Sequence, residues 1–206
     1  MHPAHTVSVA IAAIATVIYV FMATPSLLRL ARSRRLDGVS VASTELLVLS
    51  AVWWVAYAIE IDNVPTLISS ALGLFAPSVS MVLLWRMGAV SRWAKAALVG
   101  GLAPVLLSLF RPNLLASAAA VAGASLAVPQ ALGLLRHPER SVKGVSVASW
   151  ALVGCNGALW LSYGLLVGHP LIGAAGVVTV PTSALVVVTL LRRTADEAPS
   201  VTRNMP

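Results

Sequence analysis

Gly38-Val39-Ser40-Val41-Ala42-Ser43 returns unchanged as Gly144-Val145-Ser146-Val147-Ala148-Ser149. Sixteen residues after the first glycine stands Trp54, and sixteen after the second stands Trp160. Three further on are Tyr57 and Tyr163. Upstream, Thr24-Pro25-Ser26 answers Val128-Pro129-Gln130, and downstream Pro77 answers Pro181. The spacing is 104–106 residues throughout. Self-similarity at a fixed period marks a structural unit used twice.

The surrounding composition says what solvent this unit expects. The chain has 206 residues, 58% hydrophobic and 10% charged, with a mean hydropathy of +0.89. Soluble domains carry about 25% charged residues, so this chain could not cover a water-facing surface. Apolar runs lie at roughly 6–28, 43–61, 64–85, 94–110, 113–135, 146–167 and 170–191. A bilayer core of about 30 Å needs about 20 apolar residues per helix. All but one run meets that length. The fourth is short and contains Pro104, but omitting it would break the charge pattern. The N-terminal MHPAHTV has no basic residue before its apolar run, so the first run reads as a retained helix.

The positive charges sort by loop. Arg29, Arg32, Arg34 and Arg35 follow the first run. Arg86, Arg92 and Lys95 follow the third; Arg136, Arg140 and Lys143 the fifth; Arg192, Arg193 and Arg203 the seventh. Only Arg111, of fourteen basic residues, falls on the other side. Lys and Arg accumulate in cytoplasmic loops. The expectation is an outside N-terminus and a cytoplasmic C-terminus. The same sorting accounts for the net charge of +7, and no nucleic-acid partner is required.

Each copy holds three spans. Two odd units joined directly would face opposite ways, and one extra helix turns the second copy back. The expected fold is therefore all-α and integral to the membrane, with seven transmembrane helices in a 3+1+3 arrangement of parallel three-helix bundles. The first repeat covers residues 1–88, a linker helix 89–112, the second repeat 113–194, and a cytoplasmic tail 195–206. Parallel repeats share an axis along the membrane normal, and a solute path would lie on it.

These motifs resemble a known family. A Pro-Gln dipeptide late in a first helix (Pro129-Gln130), a basic loop and a Gly-Val-Ser helix start are similar to the PQ-loop (MtN3/saliva-type) proteins. Asn156-Gly157-Ala158-Leu159-Trp160-Leu161-Ser162-Tyr163-Gly164-Leu165-Leu166 is similar to a segment of the SWEET and SemiSWEET sugar transporters. Ser50 to Ala58 is a weaker copy. The resemblance implies passive, bidirectional movement of mono- or disaccharides by alternating access, at the plasma membrane, without a cofactor. It also implies a sugar-contacting Asn in the third helix of each repeat. Those positions here are Ser70 and Gly176. The first Pro-Gln is Pro25-Ser26 here, and Ser43 and Ser149 lie where plant members carry prolines.

Trp54 and Trp160 sit well inside their spans, whereas tryptophan usually gathers at the interface. Trp85, Trp93 and Trp150 fit that interfacial pattern. An indole face stacks on the C–H side of a sugar ring and its N–H bonds a hydroxyl. Trp54 and Trp160 are therefore candidate substrate contacts, and Trp53 reads as packing or lipid contact. Asn156 is one turn before Trp160, on the same face, and Ser50 is its counterpart. A buried amide in hydrocarbon needs a partner, which a neighbouring helix or a substrate hydroxyl would supply. Ser70 offers one hydroxyl, and Gly176 offers only backbone and space. Pro25 and Pro129 each remove a helical hydrogen bond and permit a kink, so they, with Gln130, are hinge candidates. Tyr57 and Tyr163 join them near the outer end.

Glu45, near the start of a span, suits a helix N-terminus. Its counterpart is Ala151, so no symmetric proton site follows. The other spans lack interior ionisable residues, which ion-coupled pumps usually need. This favours an uncoupled facilitator of a neutral solute. Asp62 and His169 lie in matching outer loops and are expected to meet as a gate. Such a gate would be tighter with the imidazole of His169 protonated. The single cysteine, Cys155, reads as an apolar filler, and no Cys/His metal spacing occurs. The chain has no G-x-S-x-G, no H-E-x-x-H and no paired buried carboxylates, so it is not expected to be an enzyme. Two alternatives to a sugar facilitator stay open: a transporter of an amino acid or other small neutral metabolite, and a PQ-loop sorting or signalling receptor. One chain could form a complete pathway, and assembly into a homo-oligomer is equally compatible.

Overall fold

The computed structural model describes residues 3–33, 41–101, 103–108, 113–136 and 146–197. The regular structure among them is helical: α1 (Pro3–Ser33), α2 (Val41–Glu60), α3 (Val64–Arg86), α4 (Arg92–Gly100), α5 (Ala103–Ser108), α6 (Asn113–Arg136), α7 (Val147–Leu166) and α8 (Ala174–Glu197), with a 3₁₀ turn at Pro170–Gly173 before α8. Three helical stretches are long and apolar enough to cross a bilayer: Val41–Glu60, Val64–Arg86 and Pro170–Arg193. Thr6–Met22 and Asn113–Ser125 are shorter apolar stretches. The basic residues Arg34, Arg35, Arg111, Arg140, Lys143 and Arg203, and the first three residues of Gly38–Ser43, lie outside the described residues.

The helices close into a ring. α3 packs on both α1 and α2, and α8 packs on both α6 and α7. Between the two sets, α2 meets α6 and α1 meets α7. The order around the ring is thus α1, α3, α2, α6, α8, α7. Exchanging the two sets maps each of these contacts onto another. The main apolar core lies along the seams between the sets. It joins Ala12 of α1, Leu49, Trp53 and Tyr57 of α2, several alanines of α6, and Tyr163 of α7. Alanine at this seam lets backbones approach, which is the usual means of helix association without a hydrophobic drive.

The two turns that follow α2 and α7 have the same backbone pattern. Ile61 N–H donates to Tyr57 O at 3.0 Å and Asn63 N–H to Ala58 O at 2.9 Å. In the second copy, Val167 N–H donates to Tyr163 O at 3.0 Å and His169 N–H to Gly164 O at 2.9 Å. Such crossed bonds satisfy carbonyls that a helix end leaves open. The motif demands a left-handed residue. That residue is Gly168 (φ 75°) in one turn and Asp62 (φ 52°) in the other. Asn63 then caps α3, its side-chain oxygen accepting from Thr66 N–H at 3.0 Å, and Pro65 occupies the first turn, where no donor is needed.

The stretch expected to form one span at 94–110 is two short helices with a turn at Gly101. Gly100 and Gly101 weaken the helix, and Pro104 cannot donate to the Gly100 carbonyl. The Gly101 carbonyl instead accepts from the indole N–H of Trp53 at 2.6 Å. Trp53, expected to be packing or lipid contact, is buried and ties this linker to α2. Trp150, expected at the interface, is also buried, against Ala131, Val186 and Leu190. Both cases follow from ring closure, which turns faces that would otherwise meet lipid onto neighbouring helices.

The second set is drawn together by glycines. A Cβ at Gly173 would collide with the Leu161 Cα, and one at Gly176 would stand 2.5 Å from the Gly157 carbonyl oxygen. α7 and the start of α8 therefore meet backbone to backbone.

Asp62 sits where its counterpart is glycine, and a left-handed conformation costs a non-glycine residue about 1 kcal/mol. Asp62→Gly is expected to raise the thermal midpoint in detergent by the equivalent of about 0.5–1 kcal/mol. Gly168→Ala should lower it by about 1 kcal/mol, and Gly173→Ala should cost more than either.

Candidate functional site

α2 and α7 each present a tryptophan and, three residues on, a tyrosine on one helical face. Trp54 and Tyr57 meet edge to face, with ring centroids 6.0 Å apart at 67°. Trp160 and Tyr163 do the same at 5.5 Å and 84°. The two tyrosines are almost completely buried, at 2% and 1% exposure. Both tryptophans are half-buried and pack against the same seam core. The paired rings thus fix each indole by its edge contact while leaving part of its surface uncovered. Each indole is only half-buried, and an indole can meet C–H groups with its face and a hydroxyl with its N–H.

The Tyr163 hydroxyl reaches across the seam. It donates to the Asn63 side-chain oxygen at 2.8 Å, across 100 residues of sequence. Asn63 thereby caps α3 and accepts from α7 with one oxygen. This bond joins the α2–α3 turn of the first set to α7 of the second. Among the described residues, Tyr57 makes no matching bond to His169, although His169 occupies the position equivalent to Asn63. The outer gate expected of Asp62 and His169 is likewise not joined: no ion pair links them. Asp62 is exposed because it supplies the left-handed corner of its turn, and the next residue makes the crossing contact.

Ser50 and Asn156 face different surroundings. Ser50 is buried and its hydroxyl donates to Ala119 O of α6 at 3.4 Å. Asn156 is half-buried, and its side-chain oxygen is buried without a hydrogen-bond partner. An unmet acceptor in a dry setting costs about 1–3 kcal/mol, and a donor brought by a ligand would recover it. Ser70 is half-buried on α3. Gly176 is buried against the α7 backbone at Gly157, so the space it was expected to offer a ligand is filled by that helix. Glu45, expected simply to suit a helix terminus, is 7% exposed in the second turn of α2. Positions 25 and 129–130 fall within α1 and α6, and the side chains of Pro25, Pro129 and Gln130 lie outside the described residues. Among the described residues, no group of three or more His, Cys, Asp or Glu comes together to hold a metal.

Sequence reading missed Asn63. Its one signal was its register, the same interval from Tyr57 as His169 from Tyr163.

No protein-family model and no curated protein matches the chain. Among solved structures it is similar to a eukaryotic SWEET transporter, with a TM-score of 0.68 and 13% identity, over 92% of this chain and 99% of that one. The chain has the fold of a SWEET transporter. At this identity the likeness is one of fold and carries no residue roles. It does agree with an integral membrane protein of apolar helices.

The crossing bond sets a test. In a double-mutant cycle on thermal stability, Tyr163→Phe and Asn63→Ala are expected to show a coupling of about 0.5–1.5 kcal/mol. Asn63→Ala alone should cost about 1 kcal/mol more than Tyr163→Phe alone, because it also removes the α3 cap.

Proposed function

We propose that this chain is a membrane transporter that moves a small neutral solute, foremost a mono- or disaccharide, passively in both directions by alternating access. The observation that carries this reading is the recurrence of one aromatic pair, Trp54–Tyr57 and Trp160–Tyr163, on equivalent helices against a shared core. The fold likeness to a SWEET transporter supports it.

On this reading residues 1–88 and 113–194 are parallel three-helix repeats, 89–112 is the linker and 195–206 a cytoplasmic tail. The solute lies between Trp54 and Trp160, with Asn156 supplying the unmet acceptor and Ser50 and Ser70 lesser polarity. The Tyr163–Asn63 bond holds one end of the ring shut, and Asp62 and His169 flank that end. Pro25 and Pro129-Gln130 let α1 and α6 bend at the other. That other end is cytoplasmic, which the basic loops support, with the N-terminus outside, in the plasma membrane. No cofactor enters the scheme and no chemical step is required, so the chain acts as a transporter and not as an enzyme.

A second reading keeps the transport and changes the solute. The positions expected to hold an Asn pair are Ser70 and Gly176, and Gly176 is covered by α7. Asn156 is then the principal polar group, which suits an amino acid or another small neutral metabolite as readily as a sugar.

Counterflow of labelled glucose into proteoliposomes tests the proposal, with other sugars and amino acids as competitors. Saturable uptake is expected, falling at least tenfold in Trp160→Ala and less in Trp160→Phe, which keeps an aromatic face. Competition by a solute outside the sugars would establish the second reading. Absence of exchange for every solute tried would overturn transport in favour of a receptor on the same scaffold.

A further inference from the structure

The corner between α3 and α4 carries charge and aromatic surface that the solute path does not use. α3 presents exposed apolar side chains on one face, Ile68, Leu72, Phe75 and Val82, and this face ends at Trp85. Trp85 is 62% exposed, and Arg86 beside it is exposed in the last turn. The chain then reverses through Gly88 (φ 71°). Ser91 starts α4, its hydroxyl oxygen accepting from Ala94 N–H at 3.1 Å. This capped reversal brings Lys95 back over the Trp85 ring, with the ammonium nitrogen 5.2 Å from the ring centroid. A cation–π contact of this kind holds an otherwise flexible lysine in place.

α3, α4 and the turn between them supply no acidic side chain. Not one acidic residue occurs between Asp62 and Glu139. Among the described residues, Arg86 and Lys95 make no ion pair. Two cations, Lys95 held over the ring and Arg86 beside it, thus stand at the end of an exposed apolar face, with an indole between that face and water. An indole favours the headgroup level of a bilayer, and cationic side chains there attract anionic headgroups.

We propose that Trp85, Arg86 and Lys95 form a binding site for the phosphate of an anionic phospholipid, whose acyl chains lie along Ile68, Leu72, Phe75 and Val82. Arg86 offers a planar fork to the phosphodiester oxygens. Lys95 supplies a second cation from the far side of the ring. The acyl chains extend the contact along α3. The site needs the integral-membrane reading and is independent of which solute is moved.

Purified protein in neutral detergent, titrated with phosphatidylglycerol or with phosphatidylcholine of the same chains, tests the site through the thermal midpoint. A prior comparison of salt wash with detergent extraction from membranes tests the membrane reading separately. Phosphatidylglycerol is expected to raise the midpoint at lower concentration than phosphatidylcholine. Arg86→Gln and Lys95→Gln should each weaken that effect about fivefold, as about 1 kcal/mol per charge implies. Trp85→Ala should weaken it without changing the net charge. Arg192→Gln, near the end of α8, which packs on α6 and α7 while α3 packs on α1 and α2, should leave it intact. Equal protection by phosphatidylcholine would overturn the proposal. So would an equal loss in Arg192→Gln, which would make the attraction diffuse. Equal protection by inorganic phosphate alone would overturn it in favour of a free-anion site.

Discussion

Hydrocarbon offers no hydrogen bonds, and every polar group on a spanning helix must find its partner within the protein. The hydroxyls of this chain show the rule at work. Thr16 donates to Ala12 O, Thr24 to Val20 O, Ser117 to Asn113 O, Ser125 to Val121 O, Ser162 to Ala158 O and Thr189 to Leu185 O. Each bond returns four residues to the hydroxyl's own helix and needs no neighbour. Against that background the exceptions carry information. Ser50 reaches another helix, Tyr163 reaches the opposite set, and the Asn156 oxygen reaches nothing, as do the buried hydroxyls of Thr66 on α3 and Ser183 on α8. The first three lie on the helices that carry the aromatic pairs.

The two sets share a topology and differ in chemistry. The left-handed corner is Asp62 in one and Gly168 in the other, at the same place in the same turn. Ala58, buried in α2, answers Gly164, whose missing Cβ admits the backbone of His169 and Gly173. The second set is accordingly the tighter, with α7 and α8 in backbone contact. The first keeps side chains between its helices: a Cβ at Gly73 would collide with Tyr19 of α1, so that glycine makes room for a ring where its distant relatives in α8 make room for a helix.

The helical, membrane-embedded character was legible because composition and span length are statements about solvent, and solvent acts on each residue alone. The duplicated aromatic pairs were legible for a related reason. Two residues three apart on a helix must share a face, whatever surrounds them. What escaped was set by contacts between helices. Gly176 looked like free space because sequence does not say which helix occupies the space beside a glycine. Trp150 looked peripheral, and Trp53 could not be divided between packing and lipid, because an indole buried by a neighbour has the same local sequence as one in lipid. The break at Gly101 was partly visible in Gly100, Gly101 and Pro104. The indole that donates to the opened turn's carbonyl lies 48 residues away, beyond any local pattern. Asn63 escaped for the same reason.

The 100-residue interval between Asn63 and Tyr163 also has a meaning in time. A ribosome adding about 5–20 residues per second would place Asn63 in the growing chain about 5–20 seconds before Tyr163 exists. During that interval α1, α2 and α3 must persist in the bilayer with their inner surface uncovered. A surface dressed in fixed charges would not survive the wait. This one bears alanine, aromatic rings and the Ser50 hydroxyl, which can turn back on its own helix until α6 arrives, and its buried acid, Glu45, sits near the start of α2. The chemistry of the inner surface is therefore fitted to the order of synthesis as well as to the finished ring.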